Sequence, residues 1–251
     1  MEWTTPLLIQ AIVAALLVGF TKTGVPGLGI LFAPMMANIF GAKPSTGVVL
    51  PMLLLADLFA LAYYRQHARW GIILRLLPWV LAGIILGCLA LWRLTNANLG
   101  LLLGGLVFGL LGLKVAQDHG GAWLEEHLPH QWWFSAICGV LAGFTTMVGN
   151  VAGGIMSIYL LSMGLEKHGF MGTGAWFYFI VNAIEVPFSA SLGLIGWASL
   201  GFNLKLAPLV VIGALAGPFA FRAIPQKWFE RLVLVLASLA AFRLLYTSLT
   251  A

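Results

Sequence analysis

The chain has 251 residues, 61% of them hydrophobic and 8% charged, with a mean hydropathy of +0.99. Soluble domains carry about 25% charged residues, so this composition excludes one and describes a polytopic α-helical membrane protein; the alternating segments of about ten residues that mark a membrane β-barrel do not occur. The net charge of +5 rests on few residues and reports which loops face the cytoplasm, so it is no nucleic-acid footprint.

Two apolar runs come first, 6–20 and 28–40. As helices of about 13–15 residues they reach roughly 20–22 Å, whereas a bilayer core is about 30 Å thick and needs about 20 residues. Between them lies Gly19-Phe20-Thr21-Lys22-Thr23-Gly24-Val25-Pro26-Gly27-Leu28-Gly29, a Gly-rich break carrying a lysine. Bare backbone at membrane depth is tolerated only where it is buried in protein or lines a cavity, so such a break reads as a site. A turn over 41–45 leads to a spanning helix over 46–64 with Asp57 near its middle. A basic loop over 65–70, spans over 72–92 and 99–117, and a polar connecting loop over 118–131 follow. The pattern then restarts: an apolar run over 132–147, a second Gly-rich break over 148–154, a short run over 155–163, a turn at Glu166-Lys167-His168, a span over 170–192 that holds Asn182 and Glu185, and spans over 203–222 and 228–247.

The restart is an internal repeat. Gly19-Phe20-Thr21 recurs as Gly143-Phe144-Thr145, 124 residues later, Gly29 falls on Gly153, and with a one-residue slip Asp57 falls on Asn182. If each broken pair were one crossing, the flanking basic residues would split evenly and give no orientation. If each pair is a hairpin, each half has three full crossings and the halves are inverted. Arg65, Arg69, Arg75, Lys114, Lys167, Arg222, Lys227 and Arg231 then share one side, and Lys43, Arg93, Lys205 and Arg243 the other. The positive-inside rule favours the hairpins and places both termini in the periplasm. The expected architecture is therefore an all-α membrane protein of two inverted repeats, 1–117 and 132–251, each a broken-helix hairpin followed by three spanning helices. With Met-Glu-Trp at the start and no basic segment before the first apolar run, that run is expected to remain in the mature protein.

Lys22 is the most informative residue, because a cation deep in a bilayer costs at least ~2.5–3.5 kcal/mol. Short helices beginning near Gly27 and Gly153 point their N-termini inward, and helix N-termini attract anions. Thr21, Thr23, Thr145, Thr146 and Asn150 add neutral donors beside Gly24 and Gly149, and together with Lys22 they make an electropositive pocket for an anion. Asp57 and Glu185 are buried carboxyls suited to carrying a proton, and Asn182 lies one turn before Glu185 on the same face. All five histidines fall in loops or turns, and Cys88 and Cys138 lie in apolar runs outside any metal spacing, so no catalytic centre, metal or other cofactor is expected. The Gly-rich break lacks the Gly-Lys-Ser/Thr ending of a P-loop, which excludes ATP as a direct energy source.

The first break with Pro34, Gly41 and Lys43, the stretch from Gly139 to Asn150, Gly172-Thr-Gly-Ala, and Asn182 followed by Val186-Pro187 resemble the TauE/SafE sulfite exporter family over essentially the whole chain. The resemblance implies a multi-pass carrier of the prokaryotic plasma (inner) membrane, with about eight hydrophobic elements in two repeats, for sulfite and related small sulfur-containing or organic anions. It directs the site to the two breaks and Asn182. Where many members carry lysine three positions after that asparagine, this chain has Glu185. Either the substrate is not sulfite itself, or Lys22 alone supplies the positive charge and Glu185 takes the proton. The expectation is a proton-coupled secondary transporter, in the export direction, of a small anion such as sulfite or an organosulfonate. Its partners are that anion, protons and the lipid bilayer, with no nucleic acid; a homodimer is compatible with it. The alternatives are an anion channel and a non-transporting membrane subunit.

Overall fold

The computed structural model describes residues 5–26, 29–93 and 131–225, then 227–229, 231–232 and positions 235, 239, 242 and 246. The expected span over 99–117, nearly all of the connecting loop and most of the last apolar run lie outside the described residues. Among the described residues all regular structure is helical: α1 (Thr5–Thr23), α2 (Gly29–Phe40), α3 (Ala42–Tyr64), a 3-10 turn (Arg65–His67), α4 (Trp70–Arg93), α5 (Trp132–Gly149), α6 (Ala152–Ser162), α7 (Lys167–Ser191) and α8 (Trp197–Ala223). Among the described residues five stretches are long and apolar enough to cross a membrane: α1, Lys43–His67 (α3 from its second residue on, with the turn after it), α4, α5 and α8. Leu74, Leu89, Leu204 and Phe219 lie exposed on α4 and α8, and Trp70, Trp92, Trp132 and Trp197 lie exposed at helix ends. An apolar exposed face with tryptophans at its ends suits a lipid-facing wall.

The outer arm of each broken pair is longer than expected. α1 has 19 residues, about 28 Å at 1.5 Å per residue, and runs on through Thr23, so the first break narrows to residues 24–28. α5 has 18 residues and runs to Gly149, leaving Asn150 and Val151 between it and α6. Only the inner arms are too short to span, α2 with 12 residues and α6 with 11. The helices accommodate their threonines by turning the hydroxyls back to carbonyls of the preceding turn: Thr21 Oγ1 donates to Val18 O at 3.1 Å and Thr145 Oγ1 to Ala142 O at 3.2 Å. α5 ends where Asn150 turns left-handed (φ 55°, ψ 33°), a conformation asparagine adopts more readily than most residues.

Both broken pairs are antiparallel. Asn38 Nδ2, late in α2, donates to Gln10 Oε1, early in α1, at 2.9 Å. Late in α6, the Tyr159 hydroxyl lies 2.9 Å from Ser135 Oγ at the start of α5. Each pair docks on a helix remote in sequence. α1 runs parallel to α8, where a methyl group on Gly19 would overlap the Val210 carbonyl and one on Gly213 the Leu16 carbonyl. α5 runs parallel to α4, where a methyl group on Gly143 would overlap the Val80 carbonyl and one on Gly83 the Val140 carbonyl. The two sets of contacts use the same spacing. Adding 124 to Leu16 and Gly19 gives Val140 and Gly143; subtracting 130 from Val210 and Gly213 gives Val80 and Gly83. Pro78 inside α4 and Pro208 inside α8 share the second offset.

α3 and α7 cross at the centre, running in opposite directions. Gly47 packs on Leu194, Asp57 meets Asn182, and Gly172 packs on Tyr64 and the turn after it. Apolar clusters fill the rest of the described interior, one around Ile84, Phe134, Ile155 and Phe177, the other around Ala14, Met36, Met52 and Val210.

Candidate functional site

The end of α1 brings Lys22 against the crossing of α3 and α7. Its Nζ lies 2.8 Å from Asp57 Oδ1. The other carboxylate oxygen of Asp57 accepts a hydrogen bond from Asn182 Nδ2 at 2.5 Å. Asp57 is 0% exposed and Asn182 1%, whereas the Lys22 side chain keeps 11%. The lysine is therefore the more accessible of the two. Both border a cavity of about 30 Å³ whose walls also include Thr21, Phe170, Met171 and Tyr178. Lys22 Nζ also stands 4.3 Å from the centre of the Tyr178 ring, within the range of a cation–π contact. A charge pair this far from water is held by Coulomb attraction and by hydrogen bonds to its remaining atoms, here one from Asn182.

A second polar group gathers at the end of α5. Thr146 Oγ1 donates to Glu185 Oε2 at 3.3 Å, and Glu185 is 1% exposed. Asn150 Nδ2 donates to Thr46 O, in the first turns of α3, at 3.1 Å. Thr146 stands 124 residues after Lys22, so the two helix ends present a cation and a hydroxyl at corresponding positions. Tyr178, Asn182 and Glu185 lie three and four residues apart on α7, so one helix face faces both ends.

The expected site residues thus divide. Lys22, Asp57 and Asn182 form one cluster, and Thr21 lines the cavity beside it. Thr146, Glu185 and Asn150 form the other. Thr23 and Thr145 are 0% exposed and donate to backbone, Thr23 to Ala214 O at 2.7 Å, so neither hydroxyl faces a ligand. Gly24 packs on Gly217 of α8. Gly149 and Gly153 border open space: a methyl on Gly149 would meet only Val151 side-chain atoms, at 3.6 and 3.9 Å, and one on Gly153 only the Tyr178 hydroxyl, at 4.0 Å. Gly27 lies outside the described residues. Two residues absent from the sequence reading belong to this region. Tyr178 lies one turn before Asn182 on the same face of α7, but among Phe177, Phe179 and Ile180 it reads as packing. The Tyr64 hydroxyl donates to Thr23 O at 2.6 Å and so satisfies a carbonyl at the end of α1; nothing in its local sequence marks it.

A part-buried lysine paired with a carboxylate has the chemistry to take an anion as an alternative partner, and an amide beside it has the chemistry to hold the carboxylate. Among the described residues there is no group of three His, Cys, Asp or Glu side chains that could hold a metal ion. The family model described as "Sulfite exporter TauE/SafE" matches residues 11–244. No curated protein and no solved structure matched. The chain belongs to the TauE/SafE sulfite exporter family, whose members are membrane transporters.

Proposed function

We propose that this member of the TauE/SafE sulfite exporter family is a secondary transporter that moves a small anion, sulfite or an organosulfonate, outward across the prokaryotic plasma membrane, coupled to protons, from a site at the bilayer midplane between the two helix breaks. The observation that carries the reading is the Lys22–Asp57–Asn182 cluster enclosed at the crossing of α3 and α7. Without substrate, Lys22 and Asp57 neutralise one another. An anion that reaches Lys22 through the cavity replaces Asp57 as its partner. Asp57 then faces an apolar interior without a counter-charge and takes up a proton, while Asn182 keeps it in place. Charge stays balanced in both forms, which links one anion to one proton. Glu185, enclosed beside the neutral Thr146, is the alternative proton carrier at the second break. Thr21, Thr146, Gly149, Asn150 and Gly153 complete the walls.

The inverted repeat is part of the same proposal. α3 and α7 hold corresponding places in the two halves and run in opposite directions, and the α1–α8 and α4–α5 contacts share one pair of offsets. Both features support halves of opposite orientation, 1–117 and 132–251, whose hairpins enter from opposite faces. Alternating access would then rock the full helices against the hairpins around the central cluster. In proteoliposomes made from this chain alone, an outward sulfite or sulfonate gradient is expected to drive efflux accompanied by proton movement, and Lys22→Ala to abolish both binding and flux. Wild-type affinity in Lys22→Ala would remove Lys22 from the site, and flux without proton movement would remove the coupling.

A further inference from the structure

Tyr178 reaches both helix breaks with one side chain. Its ring faces the end of α1, with Lys22 Nζ 4.3 Å from the ring centre. Its hydroxyl faces the first turn of α6, 4.0 Å from where a methyl group on Gly153 would stand, and no other described atom lies within that distance of the methyl. Among the described residues the hydroxyl has no hydrogen-bond partner, whereas Tyr64 and Tyr159 each use theirs. The side chain also borders the cavity with Lys22 and Asp57. Tyr178 is partly exposed, so its unpaired hydroxyl is open to an incoming molecule. Here the phenol points across Gly153, one of two glycines in the first turn of α6, next to backbone N–H groups of that turn that have no helical acceptor.

We propose that Tyr178 is the specificity-determining residue of the anion site, resting on the reading that Lys22 binds the anion. The ring face holds the ammonium in position when Asp57 releases it. The hydroxyl donates to an oxygen of the bound oxyanion, and Gly153 leaves the gap in which that oxygen sits. The site thereby selects anions with an oxygen at a fixed distance from the charge-bearing contact, and the gap limits the bulk that can follow.

Two substitutions test this with little disturbance of packing. Tyr178→Phe keeps the ring under Lys22 and removes the hydroxyl. Gly153→Ala places a methyl group in the gap, 4.0 Å from the only described atom it would meet, within the ordinary range of van der Waals contact. Purified wild type, both variants and Lys22→Ala are titrated calorimetrically with sulfite and with an alkyl sulfonate, each protein being checked first by thermal unfolding. Tyr178→Phe is expected to weaken both anions about tenfold, the loss of one hydrogen bond to a charged group. Gly153→Ala is expected to weaken the sulfonate more than the sulfite, a change of selectivity that a merely structural role does not produce. If Tyr178→Phe does not fold, the selectivity change in Gly153→Ala decides alone. Wild-type binding abolished by Lys22→Ala but unchanged in Tyr178→Phe and Gly153→Ala overturns the role of Tyr178 and leaves the Lys22 site standing. Full binding in Lys22→Ala overturns the Lys22 reading itself and this role with it.

Discussion

Lys22 and Asp57 are unequal partners, and that inequality is testable. Asp57 is wholly enclosed, while Lys22 keeps some access to the cavity and a second contact on the Tyr178 ring. Removing one member of a buried pair costs about 3–5 kcal/mol because the other charge is stranded. Lys22→Met, which strands the enclosed carboxylate, is therefore expected to lower the unfolding temperature in detergent more than Asp57→Asn, which strands a cation with other neighbours. The double variant Lys22→Met/Asp57→Asn is expected to recover most of the loss, since its amides can pair with each other. Additive losses would mean that the two residues do not act as a unit. Asp57, Glu185 and Lys22 were legible in the sequence because a charge in an apolar run has few explanations. Tyr178 was not, because a tyrosine among Phe177, Phe179 and Ile180 reads as packing and only its neighbours in space reveal the hydroxyl's situation. Thr23 and Thr145 failed in the opposite direction: a hydroxyl near a break reads as a donor for ligand, but the preceding turn and α8 already use both.

At the scale of elements, two glycines on each outer arm's contact do the work of seating a hairpin. α1 meets α8 and α5 meets α4 with backbone against backbone, which is available only where small residues remove the side chain between them. Gly19→Val and Gly143→Val are each expected to destabilise by at least about 1–3 kcal/mol, because the added atoms meet carbonyls that cannot swing aside. Gly71→Ala, with no described atom within 4 Å of the new methyl, is the control and is expected to melt as wild type or slightly higher. Parallel thermal melts check both, and an unperturbed Gly19→Val would show that α1 can stand off from α8. The number and order of the described helices followed from hydrophobic run length and Gly-rich punctuation. The reach of α1 to Thr23 did not, since Gly-Phe-Thr-Lys-Thr has weak helix propensity and is held by packing on α8, whose Ala214 lies 191 residues from Thr23.

For the molecule as a whole, the contacts between helices remote in sequence were not legible. Among the described residues the most extensive helix contacts are α1 with α8 and α4 with α5, so in the proposed arrangement each hairpin is seated by a helix of the opposite half. The proposed hairpins give each half an odd number of crossings. Fused to the C-terminus, a reporter active only in the periplasm is expected to give signal, and one active only in the cytoplasm none; the reverse pattern would exclude the proposed orientation. The same placement puts Arg65, Arg69, Lys167 and Arg222 on the cytoplasmic face, where positive charge is favoured.

If the two halves are the inverted copies proposed above, the hydrogen bond between Asp57 and Asn182 has a consequence for how such a chain arises. Corresponding residues of two oppositely oriented copies meet only along the line that relates them, and a residue on that line faces its own counterpart. Had both copies kept aspartate, two carboxylates would stand 2.5 Å apart, the present separation of Asp57 from the Asn182 amide, and could coexist only by sharing a proton. Replacing one of them by an amide removes that constraint and frees the remaining carboxylate for Lys22. On that reading, fusion of the copies into one polypeptide makes this possible, because two identical subunits cannot differ at a single position. The loss of symmetry at the centre is thus the step that a duplicated gene permits and a dimer of equals forbids.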